Sequence, residues 1–190
     1  MKVLVTGGAG FLASHVADTL TEAGHEVVVY DVSPSTYLKP NQQQTVGSIL
    51  DREALCQAAQ GCDILYHFAA IADIGEASSD PVRTIEVNIM GTVNALEAAR
   101  LAGVRRFVLA SSIYVYSDQG SFYRTSKQAC ERLVEDYKDT FGLPYTVLRF
   151  GSLYGPRAGK TNAIYRMVDQ ALHEGKISYA GSGSEVREYI

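Results

Sequence analysis

At 190 residues, with 46% hydrophobic and 20% charged content, the chain can bury a substantial core in one domain, which excludes a disordered or fibrous protein. A net charge of −4 argues against a nucleic-acid or anionic-membrane surface, since both need clustered Lys and Arg, and no apolar run is long enough for a signal peptide or a bilayer span. Three cysteines without a Cys-x-x-Cys pair and four scattered histidines predict no metal site, and the cytoplasm is the expected location.

Lys2–Thr6 is a short apolar run followed by Gly7, Gly8 and Gly10, after which residues 11–23 carry apolar side chains at helical spacing and stop at Gly24. Residues 26–30 form a β-branched strand ending at Asp31, which closes a first strand-helix-strand unit. The alternation then continues with strands at 45–46, 63–67, 106–110 and 145–150 and helices at 52–60, 82–101, 123–141 and 164–174, with 177–179 as a possible last strand. Strands that alternate with helices require crossover connections, so the expected fold is α/β, a Rossmann-type doubly wound parallel sheet.

The turn Thr6-Gly7-Gly8-Ala9-Gly10-Phe11-Leu12-Ala13 has small residues at Gly7, Gly10 and Ala13 between strand and helix. Such a turn is tight, lets backbone approach a pyrophosphate, and aims helix N-terminal amides such as those of Phe11 and Leu12 at the anion. Glycine turns also occur where no nucleotide binds, so Asp31 at the end of the second strand matters. Its carboxylate can accept from adenosine ribose hydroxyls and would repel a 2′-phosphate; with no arginine just after it and Lys39 some way off, NAD is expected over NADP. The alternative for Asp31 is a turn or capping role.

Tyr123 and Lys127 stand four apart, on one face of the predicted helix. A phenol is too weak a base at neutral pH unless its anion is stabilised, and a nearby ammonium does that. A solvated helix face is the bland alternative. Ser112, at the end of the preceding strand, is placed to bond the substrate oxygen whose proton Tyr123 takes.

With these residues assembled, the chain resembles the extended short-chain dehydrogenase/reductases, the nucleotide-sugar epimerase and dehydratase family. The markers appear in order: the glycine turn, Asp31, His67-Phe68-Ala69-Ala70, Asn88-Ile89-Met90-Gly91-Thr92, Ser111-Ser112 leading to Val115-Tyr116, the Tyr123/Lys127 pair, and residues 149–156. The resemblance implies NAD as cofactor, Tyr123 as general base, Lys127 as the residue that holds the nicotinamide ribose and lowers the tyrosine pKa, and Ser112 as proton-relay and substrate contact. It implies that Phe68, Ala69 and Ala70 line the cofactor and that Asn88 lies near the nicotinamide. For His67 a satisfied polar group at a strand end is the expectation. Ser48 stands where the family often has an adenine-reading Asp, which leaves Ile49, Leu50 or their backbone to do so.

The implied reaction moves a hydride from a carbinol carbon of a nucleotide-diphosphate sugar to NAD. Family dehydratases follow the serine with Asp-Glu; this chain has Ile113-Tyr114, so an epimerase is expected ahead of a dehydratase. A simple NAD-dependent sugar or alcohol dehydrogenase and a catalytically silent NAD-binding module stay open. Ser112 and Tyr123 are closer in sequence than is usual for the family, which implies a shorter substrate-covering loop. Ser152 replaces a common substrate-binding Asn, and Arg187 matches a diphosphate-binding Arg. The family continues beyond this point. The expected organisation is thus an NAD-binding domain over 1–190, with 151–190 the start of a truncated substrate region, whether as a fragment or a natural short form, and most of the C-terminal substrate domain missing. The resemblance also implies a homodimer, formed through the helices at 82–101 and 123–141.

Overall fold

A computed structural model describes residues 1–179, 181–184 and 189. The chain forms two compact units, Met1–Arg149 and Phe150–Ile190. Strands β1 (Lys2–Thr6), β2 (Glu26–Asp31), β3 (Gln42–Val46), β4 (Ile64–His67), β5 (Arg106–Ser112) and β6 (Tyr145–Phe150) make one sheet in the order β3-β2-β1-β4-β5-β6. Val3 lies opposite both Val27 of β2 and Ile64 of β4, and the β1–β2, β1–β4, β2–β3 and β4–β5 pairs all run parallel.

Side chains alternate across a strand, and both faces of this sheet are buried. Val3, Val5, Val27 and Val29 pack on Ala13 and Ala17 of α1 (Phe11–Glu22). Leu4, Val28 and Tyr30 point the other way, into a cluster with Leu55 of α2 (Arg52–Ala59), Leu96 of α5 (Gly91–Ala102) and Val134 of α6 (Ser121–Phe141). The strands therefore read as nearly continuous apolar runs. After β3 the chain crosses back to lay β4 on the other side of β1, so the carboxyl ends of β1 and β4 flank the point where the winding reverses, the usual ligand crevice of such sheets.

Helix formation departs from the sequence expectation at 82–101. Instead of one long helix there are α4 (Pro81–Ile85), a π-helical turn (Glu86–Met90) and α5. Asp80 caps α4 by accepting from the Arg83 N–H at 3.0 Å, with Pro81 in the first turn. An unanticipated short helix, α3 (Ile74–Ser79), is capped by Asp73, which accepts from Glu76 N–H at 2.9 Å.

In the second unit, Asn162 caps α7 (Ala163–Glu174) through the Tyr165 N–H at 3.1 Å and donates to the Leu153 carbonyl at 2.6 Å. Ser152 pairs with Tyr189 in an isolated parallel bridge. The stretch 177–179, expected as a strand, forms none.

Candidate active site

The glycine turn is fixed by backbone bonds: Gly7 N–H donates to Tyr30 O at 2.8 Å and Gly10 N–H to Gly7 O at 2.9 Å. Gly7 has φ +72°, and a Cβ there would lie 2.7 Å from the Ala69 nitrogen, so only glycine lets the turn close against the segment after β4. Gly10 is the N-cap of α1 and offers no side-chain cap, and no acidic residue occupies the first turn. The first-turn amides, including those of Phe11 and Leu12, are left for an outside anion. The turn's residues thus fit a dinucleotide pyrophosphate.

Asp31 is anchored to this turn, its Oδ2 accepting from Ala9 N–H at 3.0 Å and its Oδ1 from Ser33 N–H at 3.1 Å. Each oxygen keeps accepting capacity for a hydroxyl. Lys39 turns elsewhere: its ammonium lies 2.6 Å from Glu22 and 3.6 Å from Asp18. The Ile49 side chain is buried in the core, seated against Gly91 where any Cβ would collide with it. Its carbonyl accepts from Asn94 at 3.0 Å; with the Ile49 side chain committed to the core, its backbone is what could meet a base. Ser48 Oγ accepts from the Leu50 N–H at 3.1 Å, and Leu50 is half-buried.

Between the segment 67–71 and the π-helical turn lies a buried polar network. Asn88 Oδ1 accepts from Ile71 N–H at 2.8 Å, while Nδ2 donates to Ile71 O at 3.0 Å and Ser126 Oγ at 2.9 Å. This clips the loop carrying Phe68, Ala69 and Ala70 to helix α6. The Thr92 hydroxyl donates to Asn88 O at 2.6 Å, so it must accept from His67 Nε2 at 3.1 Å; Nδ1 then accepts from the Thr6 hydroxyl at 2.8 Å. In the neutral ring this bonding selects the Nε2–H tautomer, with both nitrogens satisfied. Burial, helped by the Lys127 charge, pushes its pKa down to about 3.

Ser112, Tyr123 and Lys127 converge at the end of β5. Lys127 Nζ, fully buried, donates to Ala110 O at 2.9 Å and lies 5.8 Å from the Tyr123 ring centroid. Burial lowers the Lys127 pKa and raises that of Tyr123; for the phenol, the hydrogen bond with Ser112 pulls in the opposite direction. The Tyr114 ring stands edge-on to Tyr123 with centroids 6.4 Å apart, and its N–H donates to Ser112 Oγ at 3.3 Å. The short connection before α6 is held by α6 itself, through Arg124 to Ser117 O at 3.0 Å and Gln128 to Val115 O at 2.9 Å.

Thr6, Thr92 and Tyr114 were not singled out from sequence as site residues. The first two stood inside quoted motifs, and the signal for Tyr114 was its place two residues after Ser112. Ser152 belongs to the second unit, and Arg187 lies outside the described residues. Among the described residues no group of His, Cys, Asp or Glu is arranged to hold a metal, and no helix is long and apolar enough to cross a membrane.

Residues 3–190 match the family model described as NAD dependent epimerase/dehydratase family. A Bacillus subtilis (strain 168) protein named as an uncharacterized UDP-glucose epimerase is 30% identical over all of this chain and 68% of its own length. A UDP-N-acetyl-alpha-D-glucosaminuronate decarboxylase of Bacillus cytotoxicus is 31% identical, covering 98% of this chain and 66% of the relative. The crystal structure of the Thermus thermophilus UDP-glucose 4-epimerase in complex with NAD superposes with a TM-score of 0.88 at 31% identity, over all of this chain and 70% of that one. The chain thus spans about two thirds of the length of these relatives.

Proposed function

The chain belongs to the NAD-dependent epimerase/dehydratase family, and from that premise we propose that it is a nucleotide-sugar epimerase, or the cofactor-binding core of one. The reading is carried by the convergence of Ser112, Tyr123 and Lys127 at the end of β5. NAD is the family's cofactor, and the open amides of the glycine turn, the anchored Asp31 carboxylate and the segment 68–70 are the groups that would hold it. Bound there, it would supply a hydride acceptor and a cationic ring. Lys39, paired with Glu22 and Asp18, gives no cation for a 2′-phosphate, which supports NAD over NADP.

Tyr123 takes the proton of the sugar hydroxyl, and Ser112 bonds the same oxygen. Burial raises the phenol pKa further above neutrality, so its activation depends on positive charge beside it, from Lys127 and from the cationic ring the cofactor would bring. Lys127, seated one turn away, holds the ribose side and supplies the resident positive charge. The turn after Ser112, Ile113–Tyr116, has no carboxylate that could assist loss of water, which favours epimerisation over dehydration.

The substrate class is a nucleotide-diphosphate sugar, for which Ser152 and Arg187 are the further contacts. Three free cysteines suit the reducing cytoplasm. The exposed apolar side chains of Val82, Ile85, Met90 and Leu101, with Phe122 and Phe141 on α6, suit a homodimer.

Incubating the chain with NAD and UDP-glucose, while following anomeric protons by NMR and reduced nicotinamide by absorbance, tests this reading. Interconversion of 4-epimers without NADH accumulation is expected, falling on the order of 100-fold or more in Tyr123→Phe and Lys127→Met. Stoichiometric NADH release would replace the epimerase with a simple dehydrogenase. Turnover unchanged in both variants would overturn the catalytic assignment of Tyr123 and Lys127, and turnover absent throughout while NAD binds would leave a silent NAD-binding module.

A further inference from the structure

On α6, Tyr123, Lys127 and Glu131 recur at every fourth residue and so form one stripe along the helix. The stripe meets three consecutive residues at the end of β5. Lys127 donates to Ala110 O, the Ser112 side chain lies near enough to Tyr123 to draw the phenol pKa down, and Ser111 Oγ donates to Glu131 Oε1 at 2.5 Å. Ser111 is buried, and the Glu131 side chain is only 12% exposed.

Glu131 is gripped from a third element. Arg149 of β6 makes a two-pronged contact, Nε to Oε1 at 2.9 Å and Nη2 to Oε2 at 2.8 Å. The same guanidinium lies 5.0 Å from the ring centroid of Tyr116, which closes the 3-10 turn begun at Ser112. Burial alone would raise the Glu131 carboxyl, but Arg149 and Ser111 overcome it and hold the group below its ordinary pKa, so the pair stays ionic. Arg149 and Glu131 together therefore tie β6, α6 and both sides of Ser112 into one unit.

We infer that Glu131 and Arg149 are positioning residues that hold the Ser112 hydroxyl against the Tyr123 phenol. The inference rests on the proposed role of that pair and adds two residues that touch neither substrate nor cofactor. A geometric clamp and a simple field effect predict different outcomes. Glu131 is two turns from Tyr123, about 12 Å along the helix, so removing its negative charge would by electrostatics alone lower the phenol pKa. Loosening Ser111 and Ser112 instead weakens the bond that draws the phenol down, and the pKa rises. Arg149→Lys keeps the charge and loses the planar fork, so a field effect would survive it and a clamp would not.

The test is the titration of the Tyr123 Cζ resonance in 13C-tyrosine-labelled full chain with NAD present, assigned with Tyr123→Phe. The phenol is faced by Ser112, Tyr114, Lys127 and Cys130, all left intact in the clamp variants. Glu131→Gln and Arg149→Lys are each expected to shift the midpoint upward by roughly half a pH unit, and the double variant by no more than the larger single. Ser112→Ala shifts it at least as far. Folded variants, judged by circular dichroism, whose midpoint stays put or falls would overturn the clamp. If Glu131→Gln does not fold, Arg149→Lys decides alone. A midpoint moved by Ser112→Ala but by neither clamp variant removes only the clamp; one unmoved even by Ser112→Ala removes the clamp and the catalytic pairing together.

Discussion

His67 carries its tautomer in its bonding and its neutrality in its burial beside Lys127. Because Thr92 donates to Asn88 O, a second proton on the imidazole would turn Nδ1 from acceptor to donor against the Thr6 hydroxyl, in a fully buried site beside the Lys127 charge. With a folded pKa of about 3 against an ordinary 6.5, the unfolded chain binds the proton between those values and the folded chain does not. Stability is thus complete above about pH 6.5 and falls as the pH drops toward 3. Urea unfolding at pH 6.5 and pH 5 should differ by about 2 kcal/mol, and His67→Gln should be less stable at neutral pH but flatter over that interval. Equal stability of the parent chain at both pH values would remove the buried neutral imidazole. Sequence was enough to expect a satisfied polar group here, since His67 ends an apolar strand. Its partners Thr6 and Thr92 were hidden, because nothing in the chain's order says that residues 61 and 25 positions away share its site. Tyr123 and Lys127 were legible because helical spacing alone puts them side by side.

At the scale of elements, the boundaries set by local chemistry were read well and those set by tertiary contact were not. Capping and apolar spacing place α1, α2, α6 and α7 within a residue or two of expectation. The break in the helix expected at 82–101 is different in kind. Nothing in Glu86-Val87-Asn88-Ile89-Met90 resists an α-helix, but one wider turn brings Asn88 to both the Ile71 backbone and Ser126. Such turns often mark functional sites. Asn88→Ala would leave the Ile71 N–H and carbonyl without their partner, and a destabilisation of about 2–4 kcal/mol is expected. The amide of Ile71 should then exchange faster than those of β4, which keep their ladder bonds. Exchange unchanged at Ile71 would mean that the loop does not depend on the clip.

For the whole molecule, a parallel sheet covered on both faces follows from the alternation of strands and helices, whereas the strand order is visible only in the structure. The surface is where sequence is least explicit, because an apolar residue at helical spacing reads the same whether it faces the sheet or another chain. Structure separates the two sets: Ala95, Leu96, Ala98 and Ala99 of α5 are buried, whereas Val82 is 80% exposed and Met90 and Leu101 are each about half exposed. Exposed apolar side chains on elements that also carry the candidate active site suit a docking face, and a second copy offering the same elements would bury them isologously. Light scattering at micromolar concentration should therefore give the mass of two chains. Val82→Glu with Met90→Glu would place carboxylates in a dehydrated interface and should shift the population to single chains, while His67 and Lys127, buried within one copy, keep their environment. A parent chain that is monomeric at that concentration, or a double variant that remains dimeric, would rule out this face as the contact.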